Sequence, residues 1–230
     1  MKRIFIALFS ITIIFSTIFA LSSCSCNSET PLEVGETTAP DYTDNGLSYN
    51  KNDDGTLEVV NADDTDEVVI PKSYSGMEIT SIGRSAFKMA KVKSVTLPDT
   101  IKTIDDFAFS FSSTLEEINI NEGVTSIGNN AFSGCTSLKS VTLPSTLKTI
   151  GLYAFDGSAI ESIVIPKNVK TVDEYAFAEC TELTEVTFEG TKTTIAENTF
   201  NTSTNVNIIA KKNAQVIDVA KSNGIPYTTK

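Results

Sequence analysis

Apolar residues along this chain fall into a pattern that returns every 22 or 23 positions. The phrase Ile82-Gly83-Arg84-Ser85-Ala86-Phe87 recurs as Ile127-Gly128-Asn129-Asn130-Ala131-Phe132 and as Ile150-Gly151-Leu152-Tyr153-Ala154-Phe155. Looser copies run from Ile104 to Phe109, Val172 to Phe177 and Ile195 to Phe200. The gaps between successive repeat phenylalanines (Phe87, Phe109, Phe132, Phe155, Phe177, Phe200) are 22, 23, 23, 22 and 23. A second apolar anchor follows each one: Val92, Leu115, Leu138, Ile160, Leu183 and Val206. From each of the first five anchors to the next Ile or Val is always 12 residues, and from there to the Phe always 5. All length variation falls between the Phe and its second anchor, a step of 5 or 6 residues. A period of this length predicts a solenoid, whose units bury their apolar faces only by stacking on their neighbours. One elastic surface loop per unit absorbs insertions without shifting the register of the stack.

The stretch Leu138-Lys139-Ser140-Val141-Thr142-Leu143-Pro144 has the spacing L-x-x-L-x-L, with counterparts at Val92 to Pro98, Leu115 to Asn121, Ile160 to Pro166 and Leu183 to Glu189. A period of two and β-branched side chains predict a short strand here. Pro98, Pro144 and Pro166 lack an N–H and are expected to close it. The Ala-Phe segment predicts a helical or irregular turn packed inward by the Phe. Three residues past each Phe stands a small one (Ala90, Ser112, Cys135, Ser158, Cys180, Ser203), as a tight interior turn requires.

These residues resemble the BspA-like leucine-rich repeat, whose units read roughly as apolar-x-S-I-G-x-x-A-F-x-G-C-x-x-L-x-x-V-x-L-P. The resemblance covers residues 67 to 210. It implies an α/β leucine-rich-repeat solenoid, a right-handed coil with short parallel strands. It also implies a bacterial surface protein that adheres to host matrix proteins or to other bacteria. At the flanks, Leu47-Ser48-Tyr49 and Thr56 to Val60 enclose Asn50 to Gly55 and predict an N-terminal β-hairpin cap. Asn213 to Ser222 predicts a C-terminal helical cap, closed by Gly224 and followed by a last strand at Ile225-Pro226-Tyr227.

Met1-Lys2-Arg3 precedes an apolar run of 16 residues, Ile4 to Phe19, short for a membrane span and fitting a signal-peptide core. Leu21-Ser22-Ser23-Cys24 resembles the bacterial lipobox. By that resemblance residues 1–23 are a lipoprotein signal peptide and Cys24 carries a covalent lipid, the one cofactor expected. The alternative is an ordinary signal peptide beside a fortuitous cysteine. Two acyl chains, at about 0.8 kcal/mol per buried CH₂, would hold the chain on a bacterial cell membrane or outer membrane. Residues 24–45 are polar and acidic and read as a lipid-anchored tether, with the solenoid and its caps in 46–230.

Charge sharpens this division. Cys24 to Glu67 holds 12 acids against Lys51 alone, whereas Val68 to Lys230 holds 17 acids and 15 bases. The near-neutral repeats carry no basic stripe, which speaks against nucleic-acid binding. With no histidine the usual general base and zinc ligand are missing. Cys135 and Cys180 stand two repeats apart, roughly 10 Å, beyond disulfide reach, and read as small buried residues. Asn50-x-Asn52-x-Asp54-Gly55 resembles the start of a calcium loop, but Asn61 stands where a closing Glu belongs, so a hairpin turn is preferred. The neighbouring carboxylates Glu116-Glu117, Asp105-Asp106 and Asp173-Glu174 read as solvated surface rather than acid–base pairs.

No catalytic or metal site is therefore assigned, and the chain is not expected to be an enzyme. The candidate site is the outward face of the strands, in three ladders: Lys93, Glu116, Lys139, Glu161, Thr184; then Ser94, Glu117, Ser140, Ser162, Glu185; then Thr96, Asn119, Thr142, Val164, Thr187. The expected partner is a host-matrix protein, a glycan or another bacterial surface, met by a monomer. The alternative is an envelope spacer or assembly module.

Overall fold

In the computed structural model, which describes residues 39–230, all repeats but one contribute two short strands rather than one. The proposed signal peptide, Cys24 and residues 24–38 of the proposed tether lie outside the described residues. The first sheet is built where the sequence shows only the Ile before the glycine. Met77–Ile82, Thr103–Ile104, Ser126–Ile127, Thr149–Ile150, Thr171–Val172 and Thr194–Ile195 pair in parallel, each with the next coil. The second sheet follows the expected V-x-L positions. Glu67–Val69, Ser94–Thr96 and Glu117–Asn119 form one parallel ladder, and Ser162–Ile165, Glu185–Phe188, Asn207–Ala210 and Tyr227–Thr229 another. Between them the sheet is interrupted. Ser140–Leu143 forms no strand and keeps a single bridge, Asn119 to Thr142. The coil with the clearest strand pattern is the one without a strand in the second sheet.

The segment through each Phe is neither helix nor plain loop. In the first five coils residues two before and two after the Phe hold positive φ, as in Ser85 (60°), Met89 (59°), Phe107 (59°) and Phe111 (57°). The N–H groups of Ser85, Phe87 and Met89 donate to the carbonyls of Asp106, Ala108 and Ser110 in the next coil, at 3.1, 2.7 and 2.8 Å. The intervening Ala86, Lys88 and Ala90 donate locally, to Gly83, Ser85 and Phe87. Alternating backbone hand thus stitches coil to coil without a strand, and leaves few buried N–H groups unpaired.

Inside this frame the six phenylalanines form one column. Successive ring centroids lie 4.8, 5.1, 5.2, 5.4 and 5.8 Å apart, all near-parallel. Beside it runs a column of small donors. Cys135 and Cys180 donate Sγ–H to the carbonyls of Phe109 and Phe155 at 3.1 Å, and Ser203 donates to Phe177 at 2.7 Å. Ser112 donates likewise to Phe87. Only a short side chain fits, and Ser or Cys adds a donor for the carbonyl of the preceding coil, which explains the Ser/Cys preference. Both thiols are free and buried; burial pushes Cys135 up to about 12 and Cys180 upward as well, so neither supplies a reactive thiolate.

The folded part starts before residue 46. Tyr42–Asp44 pairs antiparallel with Leu47–Lys51, which pairs with Leu57–Ala62, and that strand joins Met77–Ile82 in parallel. The calcium-loop-like residues serve the turn. Asp54 accepts from both the N–H and the hydroxyl of Thr56, and Asn52 donates to the same hydroxyl. At the other end the helix is shorter than expected, Val216–Ser222, with Val216, Ile217 and Ala220 buried. Residues 39–230 form a single compact unit.

Candidate functional site

The backbone pairs most neighbouring rungs of the three ladders, with breaks at the third coil. Lys93 N–H donates to Asp66 O and Glu116 N–H to Lys93 O, both at 2.8 Å. Glu161 N–H donates to Lys139 O at 3.0 Å, and Thr184 N–H to Glu161 O at 2.9 Å. Ser94 pairs with Glu117, and Ser162 with Glu185. Thr96 pairs with Asn119, Asn119 with Thr142, and Val164 with Thr187. Lys93, Thr96, Glu116, Asn119, Lys139, Thr142 and Glu161 are exposed, and Thr187 is half-buried.

The first column has a rung that sequence reading missed. Asp66 precedes Lys93 and pairs with it at 2.8 Å, and its carboxylate holds the lysine above the usual ammonium range. The column therefore alternates in sign through Asp66, Lys93, Glu116, Lys139 and Glu161, with an ion pair at its first rung and the Glu116 charge also acting on Lys93. Adding one rung at the N-terminal end of the alignment, just before Glu67-Val68-Val69, would have revealed it.

The interrupted sheet gives this face its relief. One cleft of about 400 Å³ opens between Ser140–Ser145 and Ser162–Pro166, with Glu122 and Glu189 at its rim. Its floor is apolar, with Val141, Leu143 and Ile163 reached through the gap and Val164 standing 49% exposed. A second cleft of about 500 Å³ lies across the same strand segment, bounded by Glu116, Glu117, Thr136, Ser137, Lys139 and Ser140. The structure thus brings Glu116 and Lys139 to one cleft and Thr142 to the other. Lys93, Thr96, Asn119, Glu161 and Thr187 stay on open sheet. A larger hollow, about 540 Å³, sits at the C-terminal end between the Phe200 turn and residues 223–226. Glu197 is its one charged lining residue.

At the cleft rim, the bonds from the Ser145 N–H and hydroxyl hold Glu122 below the usual carboxylate range, whereas the raised carboxylates lie elsewhere. Burial raises Asp105, with Asp106 adding to the rise and Thr103 opposing it. Burial and the Asp105 charge raise Glu58. Both flank Gly83, where an added Cβ would come within 2.9 Å of Glu58 Oε2. A carboxyl whose folded pKa exceeds its unfolded value binds more protons when native, so stability falls as pH rises between the two values. Asp105→Asn is therefore expected to raise the neutral-pH melting temperature by about 2 °C. The gain should vanish below roughly pH 4, where the unfolded carboxyl is also protonated, and paired melts at the two pH values check it. Among the described residues no group of three or more His, Cys, Asp or Glu is placed to hold a metal ion.

Six coils with the same inward Phe, Ile and small-donor columns decide the relationship. Residues 64–181 and 107–220 match the BspA type Leucine rich repeat region, in 6 copies. The chain belongs to the BspA-type leucine-rich-repeat family. Among solved structures it is similar to a leucine-rich repeat protein from Bacteroides ovatus, at 32% identity and TM-score 0.65, over 74% of this chain. It spans only 49% of that longer protein. It is also similar to the Leucine Rich Repeat protein of T. pallidum, at 26% identity and TM-score 0.61, over 62% of this chain and 68% of that one. No curated protein matches it significantly in sequence. BspA-type repeats and the leucine-rich-repeat structures they resemble are generally non-catalytic scaffolds.

Proposed function

We propose that this BspA-type chain is an exported binding protein, held on the bacterial surface by a lipid at Cys24, whose strand face engages a protein or glycan without catalysing a reaction. The hairpin and the helix act as end caps for the stack. One observation carries the binding role: the sheet interruption at Ser140–Leu143, which opens an apolar floor with a hydroxyl and carboxylate rim on an otherwise flat face. Flat parallel sheet offers only shallow polar contact, whereas a concave apolar floor with a few convergent polar groups supports specific recognition. The spacer reading draws on the first column, whose charges alternate in sign and begin with the Asp66–Lys93 ion pair.

The test is binding of residues 25–230, made without the lipid, to a panel of matrix proteins, glycans and whole bacterial cells. Val164→Lys, which fills the cleft with charge, is expected to abolish saturable binding while the fold is retained. Replacing Glu116, Lys139 and Glu161 together by alanine is expected to weaken it less. Binding that survives both variants would move the site off the strand face. Absence of binding throughout would favour the spacer.

A further inference from the structure

Of the five large apolar side chains left exposed among the described residues, Val69, Val164 and Tyr227 belong to strands, whereas two stand together on one turn edge. Met89 and Phe111 are 69% and 59% exposed. Each stands two residues past a repeat Phe, at a φ of 59° and 57° respectively. Other coils place Gly134, Gly157, Glu179 and Thr202 at this position. A left-handed backbone favours glycine, so two bulky side chains are held at a strained site where they add little to the core. Inter-coil bonds from Met89 N–H to Ser110 O and from Phe111 N–H to Ser133 O set them on adjacent rungs. Phe107 lies beside them, with the Arg84 guanidinium 5.0 Å and the Lys88 ammonium 5.6 Å from its ring centre. This end of the edge is basic and apolar together.

Two coils further on, the edge changes sign. Tyr153 and Tyr175, the counterparts of Phe107, stack at 4.8 Å. Asp156, Glu174 and Glu179 surround them. Burial and then Glu179 push the Asp156 carboxyl upward, while burial, Tyr175, Asp156 and Glu174 raise the Tyr153 hydroxyl. Among the described residues no lysine or arginine forms an ion pair with any of these three acids. The coil between the two ends presents the uncharged Asn130 and Gly134, and the Phe111 ring lies against Gly134.

We propose that this edge is the contact surface for a second copy of the chain, in an antiparallel two-fold pair centred on the third coil. Turning a copy end over end about Gly134 exchanges the first coil with the fifth and the second with the fourth. Lys88 and Met89 then meet Glu179 and Tyr175. Phe111 meets Gly157, where an added Cβ would find nothing within 4 Å. The complementarity occurs twice, as an isologous contact requires. Five coils at ~4.8 Å per strand make a contact about 20 Å long, so the pair is small, weak and salt-sensitive. It replaces the monomer expected from the sequence and uses neither cleft of the strand face.

Sedimentation velocity of residues 25–230, from about 5 to about 500 µM, tests this. A dimer is expected to grow with concentration and to weaken in high salt. Phe111→Gly places glycine at a left-handed site, so the fold should hold or melt higher while dimer affinity falls about tenfold or more. Lys88→Glu and Glu179→Lys should each weaken the dimer, and the double variant should restore it, because the exchanged charges re-pair across the two-fold axis. A chain that stays monomeric at every concentration overturns the proposal. So does a dimer indifferent to these changes, or a double variant no better than the singles. Capture of a different partner through Phe111 by a monomeric chain would also overturn it.

Discussion

Alanine at Phe132 is expected to remove about 3–5 kcal/mol of stability, read as a lower urea midpoint by far-ultraviolet circular dichroism. Phe132 is fully buried in mid-column, with rings at 5.1 and 5.2 Å on its two sides. Its removal leaves a cavity and breaks two aromatic contacts, each worth about 0.5–1.5 kcal/mol beyond burial. Phe200 ends the column, 6% exposed and with one ring neighbour at 5.8 Å. Phe200→Ala should therefore lose clearly less. Coils couple mainly to their neighbours, so the mid-column variant should also unfold less cooperatively, with a shallower transition. Equal losses at the two positions would mean that the column does not couple neighbour to neighbour.

The second large effect concerns glycine, and backbone angle alone would rank it wrongly. Gly128 has no positive φ, yet a Cβ there would lie 2.6 Å from the Asp106 nitrogen and 2.7 Å from the Asp105 carbonyl carbon. These are backbone atoms of the neighbouring coil and cannot rotate away. Gly128→Ala must push two coils apart, at a cost of about 2–3 kcal/mol. Gly157 has φ +63° but open space around its Cβ position. Gly157→Ala bears only the left-handed penalty, about 1 kcal/mol. Thermal melts of the pair should place Gly128→Ala well below Gly157→Ala; the reverse order would show that coil spacing is looser than these contacts imply.

The same distinction between spacing and geometry separates what could be read in the sequence from what could not. The Phe, Ile and small-residue columns were legible because burial in a stack enforces identical spacing in every coil. The outward columns followed from the same arithmetic, and their registers pair on either side of Ser140–Leu143. The first sheet was hidden: strands such as Thr103–Ile104 are two residues long, too short to show alternation, and exist only because neighbouring coils supply partners. The missing strand at Ser140–Leu143 was hidden for the opposite reason, since Val141 and Leu143 carry an ideal pattern and remain buried. The step to the next coil is the short form, Phe155 to Ile160, following the longer Phe132 to Leu138. Glu161 still bonds Lys139, so the register persists while the ladder above it is lost. The acidic rung Asp66 and the apolar turn edge escaped notice because both lie outside the strand motif.

That missing strand also changes how the stack behaves as a mechanical object. Elsewhere three supports fix the distance between coils: the first sheet, the Phe segment with its alternating backbone bonds, and the second sheet. Between Leu143 and Ile163 only the first two remain continuous. A column propped on two sides of three bends towards or away from the unpropped side with little resistance. The gap is thus where a pull along the stack is expected to open the coils first, ahead of the doubly sheeted lengths on either side.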